Sequence, residues 1–191
     1  MGGALCLDFA NSVDWAADGK PFDPDTDALR EPAELMRWGQ RLGIVGARAP
    51  RAGEDELATA HDLRRALHGI FVAVANGEAP RPAALGVVAA THADAVASAH
   101  LARRDGAWTL EWPARDPRRV RFAVAVDAIA LLGDAQRLAR VRLCPGRNCG
   151  YLFLDASGRR RWCSMTACGS REKMRRMYDR RRATRSRASG R

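Results

Sequence analysis

The chain has 191 residues, 47% of them hydrophobic, which is enough for one sizeable core plus a small additional module, and none of its apolar runs is long enough to span a bilayer. The formal charge of +10 is unevenly placed: residues 1–139 carry 16 Lys and Arg against 19 Asp and Glu, a net of −3, whereas residues 140–191 carry 16 against 3, a net of +13. A shift of that size marks a boundary near residue 140 and directs attention to an anionic partner for the C-terminal part.

Taken from its beginning, the chain alternates Leu5, Leu7 and Phe9 with polar residues, and Asp8, Asn11, Ser12 and Asp14 follow closely. This pattern fits a short strand or a first helical turn. Asp8 and Asn11 either contribute to a ligand pocket or cap a helix and close a turn. Cys6, alone among apolar neighbours, reads as a small core residue. Residues 16–30, with Gly19, Pro21, Pro24 and several aspartates, have loop composition.

Helices are expected to dominate the next stretch. Glu31-Pro32 gives an acidic, proline-primed start to a helix through Leu35, Met36, Trp38 and Leu42, stopping at Gly43. A second helix is expected over about 54–75, with Leu57, Leu63, Leu67, Ile70 and Phe71 on one stripe and Gly77 as its stop, and a third over about 82–102. His61 and His68 could share a helix face, but no HExxH pattern accompanies them. From Gly106 the period changes: Trp108, Leu110 and Trp112 alternate with Thr109 and Glu111, the pattern of a half-buried strand in a small hairpin. A fourth helix is expected over 118–132, ending at Gly133.

The densest signal lies further on. Four of the five cysteines, Cys144, Cys149, Cys163 and Cys168, fall within 25 residues as two pairs, with four residues inside each pair and thirteen between the pairs. Two short knuckles joined by a hairpin-sized loop can bring four thiolates to about 2.3 Å from one Zn2+. Disulfides would need an oxidising compartment, and the opening Met-Gly-Gly-Ala lacks the basic and apolar regions of a secretory signal, so a cytoplasmic, reduced protein is expected. With all four ligands supplied by protein, the metal is expected to be structural. Between the pairs, residues 151–154 are β-prone, 155–158 supply turn chemistry, and 159–162 return towards the second pair. After Cys168 a helix is expected with Met174, Met177, Tyr178 and Arg181 on one face and arginines crowding the others.

These residues carry a resemblance. The run RRRWCSMTACGSREKMRRMYDRRR, preceded by CGYLFLD, resembles the zinc finger named CGNR after its signature, which stands here at Cys168-Gly169-Ser170-Arg171 with Ser170 in place of the usual Asn. In such proteins the finger follows an N-terminal ABATE domain, and the opening LCLDFANS with the later EPAELMRWG is similar to that domain. Members are described as stress-induced transcription regulators or nucleic-acid-binding proteins. The resemblance implies a mainly α fold: an ABATE-like helical domain over 1–139 with a small β-hairpin, then a CGNR-type four-cysteine finger over 140–191, made of a hairpin and a basic helix.

Phosphate-cradling glycine loops and nucleophile elbows are absent from the sequence, so the expectation is a binding protein and not an enzyme. Nucleic acid is the expected partner, DNA ahead of RNA, through Arg159, Arg160, Arg161, Arg171, Lys173, Arg175, Arg176, Arg180 and Arg182. Arg171, at the start of the helix that follows the metal-fixed Cys168-Gly169, is the candidate base reader. Two competing readings are RNA binding and a zinc-stapled module for an acidic protein partner. The acidic N-terminal part is left to bind a small-molecule effector or to form a homodimer, and the finger is expected to bind by itself.

Overall fold

The structure is a computed structural model that describes residues 2–15 and 24–189, with side chains described through Arg182. The loop expected over 16–30 lies outside the described residues as far as residue 23. The opening segment is a helix, α1 (Leu5–Ala10), which buries Cys6, Leu7, Phe9 and Ala10. A strand would place every second side chain on the opposite face. One helical turn puts all four against the core.

Helix α2 (Pro32–Arg41) begins with a capping box in which Glu31 and Glu34 satisfy each other's backbone N–H groups, and Pro32 occupies the first turn. Helix α3 (Glu54–Ala75) is the central element: Leu63, Leu67, Ile70 and Phe71 are fully buried along it. Helix α4 (Pro82–Ala97) is shorter than expected. Residues beyond it form the strand β1 (His100–Arg104), antiparallel to β2 (Ala107–Glu111). The correction has a local cause. Asp105 (φ 48°) and Gly106 (φ 84°) both adopt left-handed backbone, the requirement of a two-residue hairpin turn whose twist matches its strands. Trp108 on this hairpin is 67% exposed and not half-buried as the alternation suggests, whereas Trp112 packs on Phe122 and donates from Nε1 to the Ala95 carbonyl at 2.8 Å. Helix α5 (Arg119–Gly133) follows, then the short α6 (Ala135–Leu138), N-capped by Asp134.

The metal-bearing region departs most from expectation. Strand β3 (Val141–Leu143) pairs antiparallel with β4 (Leu152–Leu154), so the hairpin encloses the first cysteine pair and residues 159–162 form no strand. Val141 and Leu152 belong to the same core as the helices, with Leu143 and Leu154 packed against it. Short as it is, β3 gains far more from that burial than residues 159–162 would from pairing in solvent.

Polar contacts reinforce this join. The Asn11 side chain donates from Nδ2 to the Leu152 carbonyl at 2.7 Å and accepts the Leu152 N–H at 2.9 Å, replacing the missing edge partner of β4. Leu154 N–H donates to the Gly2 carbonyl at 2.6 Å. His68, 4% exposed, bonds through Nε2 to the Gly150 carbonyl at 2.9 Å, and Trp15 stacks on its ring at 3.9 Å. Gly150 is required by this approach, because a Cβ there would stand 2.6 Å from the Cβ of Trp15. The finger, expected to bind by itself, shares a core and a hydrogen-bond seam with the N-terminal helices.

Burial depresses the His68 pKa from 6.5 to about 4, and the Gly150 carbonyl only partly offsets it. The folded state therefore holds His68 neutral, so its stability is complete above pH 6.5 and falls as pH drops towards 4, by on the order of 3 kcal/mol from this group. His68→Gln keeps an amide donor for Gly150 and removes the titration. Urea melts between pH 7 and 5 should show the wild type losing stability faster than His68→Gln, and parallel losses would contradict this assignment.

Candidate metal centre and basic helix

The sulfurs of Cys144, Cys149, Cys163 and Cys168 all lie within 4.8 Å of one another. Cys163 and Cys168 are 3.5 Å apart and Cys149 and Cys163 3.7 Å. A tetrahedral metal with sulfurs about 2.3 Å away has edges of about 3.8 Å, so the separations fit a four-thiolate zinc site, and all exceed the roughly 2.05 Å of a disulfide. The donor set fits as well: four soft thiolates leave no open position.

Each knuckle has its own geometry. In the first, Asn148 at φ 55° turns the chain so that Cys149 N–H reaches the Gly146 carbonyl at 3.0 Å. In the second, a π-helical turn, Met165–Gly169, carries Cys168 and runs directly into α7 (Ser170–Ser189). Ser164 caps it, its Oγ accepting the Ala167 N–H at 3.3 Å. The wider π turn allows two cysteines with four residues between them to face one centre while the helix continues.

Electrostatics make the cluster demand a cation. Burial, ahead of the charge of Cys144, pushes Cys149 up to about 12, and burial together with the neighbouring thiols pushes Cys163 higher still. Cys168 runs the other way. Burial opposes its ionisation, but hydrogen bonds from Cys163, Cys149 and Arg171 hold it below its ordinary value. Four adjacent thiolates are stable together only around a divalent ion, which supplies the missing charge.

The sequence-predicted cations divide into two groups. Arg171 donates from its guanidinium to Cys168 Sγ at 3.2 Å, so the candidate base reader has the metal ligand as its partner. Arg160 donates to the carbonyls of Trp162 at 3.1 Å and Cys163 at 2.5 Å and lies 4.6 Å over the Phe153 ring. Its backbone N–H donates to Asp155, and this bond leads those that hold the Asp155 carboxyl below its usual range. Arg160 is therefore a staple of the second knuckle. Arg175 and Arg176 both pair with Glu172, each with its closest contact at 2.8 Å, and hold its carboxyl down at about 2. Arg159, Arg161, Lys173, Arg180 and Arg182 are exposed. Arg161, Lys173, Arg176 and Arg180 rim a groove of about 640 Å³ whose floor includes Trp162 and Met165. Along α7, Met174 and Tyr178 are 59% and 62% exposed and Met177 is half-buried, so among the described residues nothing fully covers the expected apolar face.

Asp8 and Asn11 line a separate cavity of about 410 Å³ beside β4. Sequence reasoning missed two supports of the first knuckle, His68 and Trp15, which join Tyr151 beside the cysteine cluster. The Tyr151 hydroxyl is pushed up by burial and by its hydrogen bond to Asp14. Partners so distant in sequence leave no local trace.

Comparison with known families matches residues 3–135 to the ABATE family, described as "Putative stress-induced transcription regulator". The chain belongs to the ABATE family. Residues 140–181 match the CGNR zinc finger, the region that holds all four clustered cysteines. Comparison with curated proteins finds no match. Among the described residues of this ABATE protein, no helix is long and apolar enough to cross a membrane.

Metal removal should act locally. A four-thiolate site of this kind carries about 10–16 kcal/mol of apparent binding energy, so Cys163→Ser should lose the one zinc per chain found by elemental analysis. Hydrogen exchange should then show lost protection through the π turn and α7, while the Leu152 and Leu154 amides stay protected by Asn11 and Gly2. Retention of a full zinc equivalent would refute the ligand set.

Proposed function

We propose that this protein is a cytoplasmic transcription regulator that binds nucleic acid, DNA ahead of RNA, through its zinc-fixed basic helix. The N-terminal helices, in this reading, sense a small effector or hold a homodimer together. The observation that carries the proposal is the concentration of +13 charge in residues 140–191, about half of it on a helix whose first turn is anchored to the thiolate cluster. Such a helix can follow a groove while its exposed cations neutralise phosphates.

The allocation of arginines sharpens this reading. Arg160 and Arg171 support the knuckle and its thiolates, and the exposed Arg159, Arg161, Lys173, Arg180 and Arg182 are the candidates for phosphate contact. Arg175 is held by Glu172 and Asp179, whereas Arg176 bonds Glu172 through Nε alone and keeps its terminal nitrogens for a phosphate. A second reading, an acidic protein partner, draws support from the exposed Met174 and Tyr178, which a phosphate backbone would leave unused.

About five phosphate contacts should give a slope of log affinity against log salt between −4 and −5. Joint neutralisation of Lys173 and Arg182 should reduce its magnitude by about two and weaken specific and scrambled duplexes alike, as read by fluorescence anisotropy. Glu172→Gln should act oppositely, releasing Arg175 and Arg176 and tightening binding at low salt. A slope near zero, with affinity for an acidic protein but none for DNA or RNA, would favour the second reading.

A further inference from the structure

The cavity beside β4 is built half from the N-terminal helices and half from the finger. Trp38 and Leu42 at the end of α2 form one wall, and Tyr151, Leu152 and Cys163 form the other. Its volume of about 410 Å³ is at the small end of the roughly 300–1,000 Å³ typical of ligand pockets, which suits a molecule of one or two rings. Its lining combines apolar side chains with the polar ones of Asp8, Asn11, Ser12, Arg41 and Arg160.

What those polar groups have left to offer decides the ligand chemistry. Asn11 has committed both ends of its amide to Leu152, and Ser12 Oγ accepts from Arg64 at 3.1 Å. Arg160 is committed to Trp162 and Cys163. Asp8 Oδ1 accepts the Gly2 N–H at 2.5 Å, and the charge of its carboxylate keeps an anionic group off that part of the wall, so an acid must place its carboxylate at a cation. Arg41 differs: it lines the cavity, is exposed, and has no hydrogen bond or ion pair among the described residues. A guanidinium at the mouth of an aromatic-walled cavity is a receptor for a planar carboxylate, held by two parallel N–H···O bonds while its ring enters between Trp38 and Tyr151.

We propose that this junctional cavity binds a small aromatic carboxylic acid, with Arg41 as the carboxylate receptor. The proposal rests on the sensor reading for its consequence but not for the binding itself. A molecule seated there touches both α2 and the second knuckle. Arg160 ties the same knuckle backbone at Cys163, the residue that both lines the cavity and belongs to the thiolate cluster. Occupancy is therefore coupled to the posture of α7, because a ligand that contacts both sides favours whichever arrangement brings them together.

Calorimetric titration of the intact zinc-loaded protein, without nucleic acid, tests the site. The probes are benzoate, 1-naphthoate and indole-3-acetate, each paired with its primary amide. At least one acid should bind at one per chain and at least tenfold more tightly than its amide. Arg41→Gln, a change on an exposed side chain, should erase that preference, and Leu42→Glu should abolish binding of the acid by repulsion at the mouth, with circular dichroism confirming that both variants are folded. Failure of every acid, equal binding of acid and amide, or an unchanged preference in Arg41→Gln would overturn the proposal. Anisotropy with labelled duplex then separates the two claims: a bound acid that shifts duplex affinity in wild type but not in Arg41→Gln supports the sensor reading, whereas a bound acid that leaves duplex affinity unchanged keeps the site and overturns its regulatory role.

Discussion

Four sulfurs held within 4.8 Å of one another are the constraint on which the C-terminal part depends. Thiols so placed resist joint ionisation, since burial and mutual repulsion raise Cys149 and Cys163. A divalent cation reverses that balance and turns repulsion into a structural fixture. Without such a fixture the second knuckle has little to order it: the apolar cluster around the cysteines is small, made of Phe153 and the cysteines with Tyr151 and Trp162 packed beside them.

A second constraint works from the other side. Strand β4 is one of two in its sheet, and its outer edge is satisfied by the N-terminal part, through Asn11 at Leu152 and Gly2 at Leu154. The first knuckle is thus fixed before any metal contact is counted, by a side chain 141 residues earlier in the chain. The second knuckle lacks such cover and leans on Arg160, Asp155 and Ser164 from its own surroundings. The two halves of the metal site therefore differ in what holds them, and the cavity bounded by α2, β4 and Cys163 lies where the two kinds of support meet.

Charge in the basic region is more divided than composition suggests. Glu172 takes up two arginines, Cys168 one, and the backbone of the second knuckle another. Outside those contacts Arg159, Arg161, Lys173 and Arg182 are exposed, a smaller set than the raw excess implies.

Patterns confined to neighbouring residues were legible in the sequence. The cysteine spacing announced the metal cluster, Glu31-Pro32 and Gly77 marked helix ends near where they occur, and the charge step at residue 140 marked where the basic region begins. Each follows from local backbone preference or from composition, which the sequence carries directly. The end of α4 was misread because alanine favours helix continuation, while the decisive signal, Asp105-Gly106, lies past the strand it creates. The tertiary structure alone decided that β4 pairs with β3, that His68 and Asn11 hold the first knuckle, and that Arg160 and Arg171 serve the metal cluster. Those outcomes depend on which distant groups share a buried space, where an unpaired backbone amide or carbonyl must find a partner, and sequence separation holds no information about that proximity.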